Sequence, residues 1–98
     1  MNYTYQLQNK AQQDYEQALR WYIKRSQRAA ESFVVAVDNA LELICRHPTR
    51  WRNQYKHYYE PGLKKYPYTV IYFIESDRQM IIISAIFHHK RNPQKKYR

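Results

Sequence analysis

YTVIYFIESDRQMIIISAIFH, residues Tyr68–His88, is the stretch whose reading decides the fold. Its two arms, Tyr68–Glu75 and Met80–His88, are built from the β-branched and aromatic residues that suit a pleated, half-buried surface. Between them Asp77-Arg78 sits where a short turn reverses the chain. That turn places Ile74 opposite Ile81, Tyr72 opposite Ile83, Val70 opposite Ala85 and Tyr68 opposite Phe87. Side chains alternate across a strand. One face therefore collects Tyr68, Val70, Tyr72, Ile74, Ile81, Ile83, Ala85 and Phe87, and suits a helical lid. The other collects Thr69, Ile71, Phe73, Met80, Ile82, Ser84, Ile86 and His88. It is too apolar to sit bare in water, so a partner or another part of the chain is expected to cover it.

Working outward, Tyr3, Tyr5 and Leu7 alternate with polar residues, as in a half-buried strand. From about Gln8 the period changes: Ala11, Tyr15, Ala18 and Tyr22, widened by Leu19 and Ile23, predict an amphipathic helix. Lys10, Asp14, Arg20 and Lys24 are expected on its outer face. Ser26 suits the N-cap of a second helix, carried by Ala30, Phe33, Val34, Val37, Leu41 and Ile44 and stopped by Pro48. So short a break makes the two helices an antiparallel hairpin. Arg50–Tyr59 has no clear period and reads as loop passing into strand, and Leu63–Tyr66 reads as a further strand after a turn at Pro61-Gly62. The order β-α-α-β-β-β gives an α+β fold: a two-layer sandwich with an N-terminal strand, a helical hairpin and a three-stranded, mainly antiparallel sheet. One domain over residues 1–98 is expected, ending in a mobile basic tail at about 90–98.

The 98 residues carry 17 Lys and Arg against 8 Asp and Glu, a net charge of +9. The imbalance is local: residues 1–49 hold six basic and five acidic groups, residues 50–98 eleven and three. Seven of the eleven tyrosines and three of the four histidines lie in that basic half. Apolar runs such as Phe33–Val37 and Met80–Ile83 are far short of the roughly 20 residues of a membrane span. Met1–Asn9 is too polar for a secretory signal, so a cytoplasmic protein is expected. Cys45, the lone cysteine, reads as a small buried hydrophobe. The Cys and His content does not suit a structural zinc site, and Gly62, the one glycine, rules out a phosphate-cradling Gly-rich loop. No metal and no cofactor are expected.

Interleaved cations and rings suit nucleic acid, cations for phosphates and ring faces for bases. Lys56, Tyr66, His89, Lys90, Lys95 and Lys96 are candidates for binding a nucleic acid or another target. Cutting RNA through its 2′-OH needs an acid, a base and cations around the phosphorane. His88, Arg91, Lys64 and Lys65 could supply them, with His88 preferred to His89 because the hairpin register puts it on the open face. The acids of this half, Glu60, Glu75 and Asp77, are too few and too scattered for a two-metal nuclease.

Tyr66-Pro67-Tyr68, Val70-Ile71-Tyr72, Ala85-Ile86-Phe87-His88 and Arg91-Asn92-Pro93, in this order, resemble the RelE/ParE superfamily of type II toxins, in particular its ParE-like branch. The helix with Asp14 and Trp21-Tyr22, the helix with Ala30 and Phe33, and the Pro48 stop extend the resemblance along the chain. It implies a growth-arresting toxin silenced by a cognate antitoxin, with Ile71, Phe73, Ile82 and Ile86 facing that antitoxin. RelE-like members cut mRNA on the ribosome; ParE-like members inhibit DNA gyrase. The chain departs from the cleaving relatives in having Tyr58-Tyr59-Glu60 where many open a strand with arginine, and no basic residue from Met80 to Phe87. His88, Arg91 and the lysine pair lean the expectation toward mRNA cleavage by a metal-independent endoribonuclease. A non-enzymatic gyrase inhibitor and an inactive RNA-binding relative stand as alternatives.

Overall fold

The Tyr68–His88 hairpin forms with the boundaries its sequence implies. In the computed structural model, which describes residues 3–90, the chain runs β1 (Thr4–Leu7), α1 (Asn9–Arg25), α2 (Gln27–Arg46), β2 (Asn53–Tyr55), β3 (Tyr58–Tyr59), β4 (Tyr68–Glu75) and β5 (Met80–His88). The strands form one mixed sheet in the order β1-β5-β4-β3-β2, with β1 parallel to β5 and the other pairs antiparallel. Both helices pack on one face of it, giving the two-layer α+β architecture.

The β4–β5 register matches expectation from the turn as far as Tyr72 opposite Ile83, and then shifts. Ser84 is left over as a bulge, its hydroxyl donating to the Ile71 carbonyl at 3.2 Å, and Ile71 pairs with Ala85. One extra residue reverses every later side chain on that strand. Ile86, expected on the open face, therefore belongs to the core beneath the helices, while Ala85 and Phe87 cross to the open face with Ile71. His88 changes sides with Ile86: it pairs with Tyr68 and meets that ring edge-on at 5.0 Å.

Serine 26 caps α2 as its sequence predicts, its hydroxyl accepting the Ala29 N–H at 3.0 Å. Its extended backbone (φ −175°) separates the helices by a single residue. From α2, Phe33 enters the middle of the core. Its ring centroid lies 5.9 Å from Tyr15, 4.8 Å from Tyr22, 5.5 Å from Tyr66 and 5.7 Å from Tyr68, tying α1, α2, the Tyr66 turn and β4 together.

Asp14 is not on the outer face of α1. It is 2% exposed, and its carboxylate accepts the Ile86 N–H of β5 at 3.0 Å and pairs with Lys10. The reason lies in the sheet: β1 ends its pairing with β5 at Leu7 opposite Ile83, so beyond that point a buried β5 amide needs another acceptor. Asp14 supplies it from the helix that follows β1.

The segment from 53 to 66 also departs from expectation. The stretch read as loop passing into strand forms two short strands, β2 and β3, and Leu63–Tyr66 forms a turn in place of a strand. Leu63 N–H bonds the Tyr68 carbonyl at 2.8 Å and Tyr66 N–H returns to the Leu63 carbonyl at 3.2 Å, with Lys65 in the left-handed region at φ 69°. The β2–β3 hairpin answers the question of the open face in part. Tyr58 packs against Ile71, Ala85 and Phe87, and the His57 ring stacks on Tyr58 at 4.5 Å and meets Phe73 edge-on at 5.2 Å.

Tyr72, fully buried on β4, donates its phenol proton to the Pro48 carbonyl at 2.5 Å and so fastens the end of α2 to the sheet. Burial raises its pKa well above the ordinary tyrosine value, with Tyr59 and Cys45 adding to the shift. A phenol whose folded pKa exceeds its unfolded value contributes stability that is whole below pH about 10 and is lost as pH rises beyond it. Urea unfolding between pH 7 and 11 is therefore expected to show stability falling above pH about 10. Tyr72→Phe should cost about 1–2 kcal/mol at neutral pH, from the carbonyl left without its donor, and should flatten that alkaline decline. An identical decline in the variant would assign it to other tyrosines.

Candidate functional site

Two concavities flank the Leu63–Pro67 turn. The first, about 470 Å³, runs along α2 and is lined by Val35, Ala36, Leu43, Trp51, Lys64 and Lys65 among others. Its lining is apolar because α2 has more apolar positions than the sheet beneath can cover: Val35 is 56% exposed and Leu43 36%. The two lysines stand at the turn side of this groove. The second, about 440 Å³, is a cleft between α1 and the ends of β4 and β5, with Asp14, Trp21, Tyr22, Tyr68, His88 and Lys90 in its walls. Tyr66 lies between the two, its ring edge-on to both Tyr22 and Phe33.

The candidate catalytic residues are thus divided. Lys64 and Lys65 line the groove, His88 lines the cleft, and neither concavity holds both. His88 Nδ1 accepts the Lys90 backbone N–H at 3.0 Å, which places the proton of the neutral ring on Nε2. His89 turns the other way: its Nε2 lies 3.0 Å from Thr69 Oγ1 and its N–H bonds the Pro67 carbonyl. Lys90 joins His88 in the cleft. Lys56 lines neither concavity; it occupies the β2–β3 turn at φ 51°, its ammonium 5.2 Å from the Tyr55 ring centre. Of the residues assigned to an antitoxin, Ile71, Phe73 and Ile82 lie on the open face, Ile71 and Ile82 already buried, and Ile86 lies in the core. Arg91, Lys95 and Lys96, with the rest of the basic tail from 91 onward, fall outside the described residues.

Asp14 and Trp21 are cleft residues that the sequence did not nominate. A signal was available, since Asp14, Ala18 and Trp21 recur at helical spacing on the stripe that faces the sheet. Tyr22 is pushed to a higher pKa by burial, with Tyr68 and Tyr66 adding to it, so near neutral pH its phenol is a proton donor and not a phenolate base. The Asp14 carboxylate is held by Ile86 and Lys10. As arranged, the cleft offers rings, donors and a cation, which suits binding. Among the described residues no three His, Cys, Asp or Glu side chains come together to hold a metal, and no helix is long and apolar enough to cross a membrane.

Against known proteins, residues 5–93 match the family model described as the ParE toxin of the type II toxin–antitoxin system parDE. Among solved structures, the chromosomal ParDE toxin–antitoxin system of P. aeruginosa superposes with a TM-score of 0.75 at 13% identity, over 88% of this chain and 95% of that one. The toxin–antitoxin complex RelBE2 of Mycobacterium tuberculosis gives a TM-score of 0.59 at 18% identity, over 90% of this chain and 99% of that one. At such identities the two structures speak for the fold. No curated sequence matches significantly.

Proposed function

Because the chain belongs to the ParE toxin family of type II toxin–antitoxin systems, we propose that it arrests growth by binding DNA gyrase, without cutting RNA itself, and that a cognate antitoxin silences it. The observation that carries the choice of target is the separation of the lysine pair from His88. Metal-independent RNA cleavage needs proton-transfer groups and several cations on one phosphate, and here Lys64 and Lys65 line one concavity while His88 lines the other, where Lys90 is the one lysine or arginine among the described lining residues. The final strand adds no cation between Met80 and Phe87. This reading reverses the leaning drawn from the residues alone, in which His88, Arg91 and the lysines act as one set.

The apolar groove along α2 is the antitoxin's place in this reading. Its exposed Val35 and Leu43 suit the apolar face of an amphipathic segment, and Lys64 and Lys65 suit acidic residues along that segment's edge. Both similar structures contain a toxin with its antitoxin, which supports such a partner.

In the test, purified protein is added at saturation to gyrase and relaxed plasmid. Supercoiling should be blocked, or cleaved DNA should accumulate, and His88→Ala should arrest growth as the parent does. Normal supercoiling, together with ribosome-dependent mRNA cleavage that His88→Ala abolishes, would replace this reading with the ribonuclease one.

A further inference from the structure

The cleft between α1 and the strand ends has no part in the gyrase reading, yet it gathers aromatic rings, an acid, a histidine and a lysine. Its walls are rings. Trp21 is 50% exposed, edge-on to Tyr22 at 4.9 Å, and the Arg25 guanidinium lies 4.2 Å from the indole centre. Across the cleft stand Tyr68 and His88, whose ring is oriented by the Lys90 N–H. A large aromatic left half in water beside a cleft of about 440 Å³ is a ready stacking surface.

The charges favour an anion. The acid of the cleft, Asp14, is balanced by Lys10 and turned toward the Ile86 amide. Lys90 then lines the cleft as a cation, and Arg25 stands beside its Trp21 wall. We propose that this cleft binds a nucleoside monophosphate, the base stacking on the exposed Trp21 ring and the phosphate drawn to Lys90. A planar ring joined to an anion is what such walls select: a bare phosphate forgoes the stacking and a bare nucleoside forgoes the charge. The volume lies within the roughly 300–1,000 Å³ usual for small-ligand sites. The same chemistry is presented by a free nucleotide and by the phosphorylated end of a nucleic-acid strand.

Calorimetric titration of the full chain separates these. The probes are 5′-AMP, adenosine, inorganic phosphate and a short 5′-phosphorylated oligoadenylate. Saturable binding of 5′-AMP is expected, with adenosine and phosphate each weaker by about tenfold or more. Trp21→Ala and Lys90→Ala should each weaken 5′-AMP by about tenfold, and only the lysine variant should reduce the salt dependence. Both side chains are solvent-accessible, so both variants should keep the parent circular dichroism spectrum. Equal affinity for 5′-AMP and the oligoadenylate identifies a free nucleotide as the ligand; a clear preference for the oligoadenylate identifies a strand end. No saturable binding of either, or binding unchanged when both residues are replaced, would overturn the proposal. The titration contains no gyrase, so its outcome and that of the supercoiling assay stand separately.

Discussion

Phe33→Ala is expected to lower the unfolding midpoint by about 15–30 °C. Phe33 is fully buried and lies within 6 Å of the ring centres of Tyr15, Tyr22, Tyr66 and Tyr68. Its removal opens a cavity among side chains anchored on three other segments, α1, the Tyr66 turn and β4, and these cannot collapse together to fill it. The transfer and cavity contributions amount to about 3–5 kcal/mol, and ring–ring contacts beyond area burial add to them. Set against a total stability of about 5–15 kcal/mol for a domain, that is a large share. Phe33→Leu, which keeps most of the volume, should cost about 1–2 kcal/mol. Differential scanning calorimetry of the three proteins checks the order. Equal losses for the two variants would mean that the ring geometry, and not the filled volume, is what the core requires.

Asp14→Ala is expected to cost about 2–3 kcal/mol, or about 10–20 °C, through a different mechanism. The variant leaves the Ile86 amide of β5 buried without the acceptor that the Asp14 carboxylate provides at 3.0 Å. The ion pair with Lys10 contributes less, since the lysine side chain is 41% exposed and water can replace its partner. Asp14→Asn, which keeps an acceptor oxygen, should therefore retain more than half of the lost stability, and Lys10→Ala should be close to neutral. Hydrogen exchange at Ile86 should quicken in Asp14→Ala ahead of the rest of β5. If Asp14→Asn were as damaging as Asp14→Ala, the charge on Asp14 and not its hydrogen bond to the strand would be the stabilising element.

These two residues mark the boundary of what could be read in advance. Phe33 was legible as core because Ala30, Phe33, Val37, Leu41 and Ile44 repeat at helical spacing, a local property that survives in any tertiary setting. Asp14 is expected on the outer face because a carboxylate in an amphipathic helix ordinarily meets water, and the fold buries it instead. Its burial follows from where β1 stops pairing with β5, a contact between residues 72 apart in sequence. The 53–66 segment was opaque for another reason. Strands of three and two residues are too short to show alternation, and the Leu63–Tyr66 turn is held by hydrogen bonds to Tyr68 that no periodicity announces.

By itself, the amino-acid sequence determined the helical hairpin, the β4–β5 pair, the concentration of positive charge in the second half and the family, because each of these is written in local spacing or in short ordered motifs. Tertiary structure decided which faces and which concavities those residues share. The bulge at Ser84 sent Ile86 into the core and turned His88 to the helix side, and the Leu63–Pro67 turn put Lys64 and Lys65 in a different concavity from His88. A strand register is periodic in two residues, so one bulged serine, its hydroxyl donating to the Ile71 carbonyl, is enough to exchange the two faces beyond it.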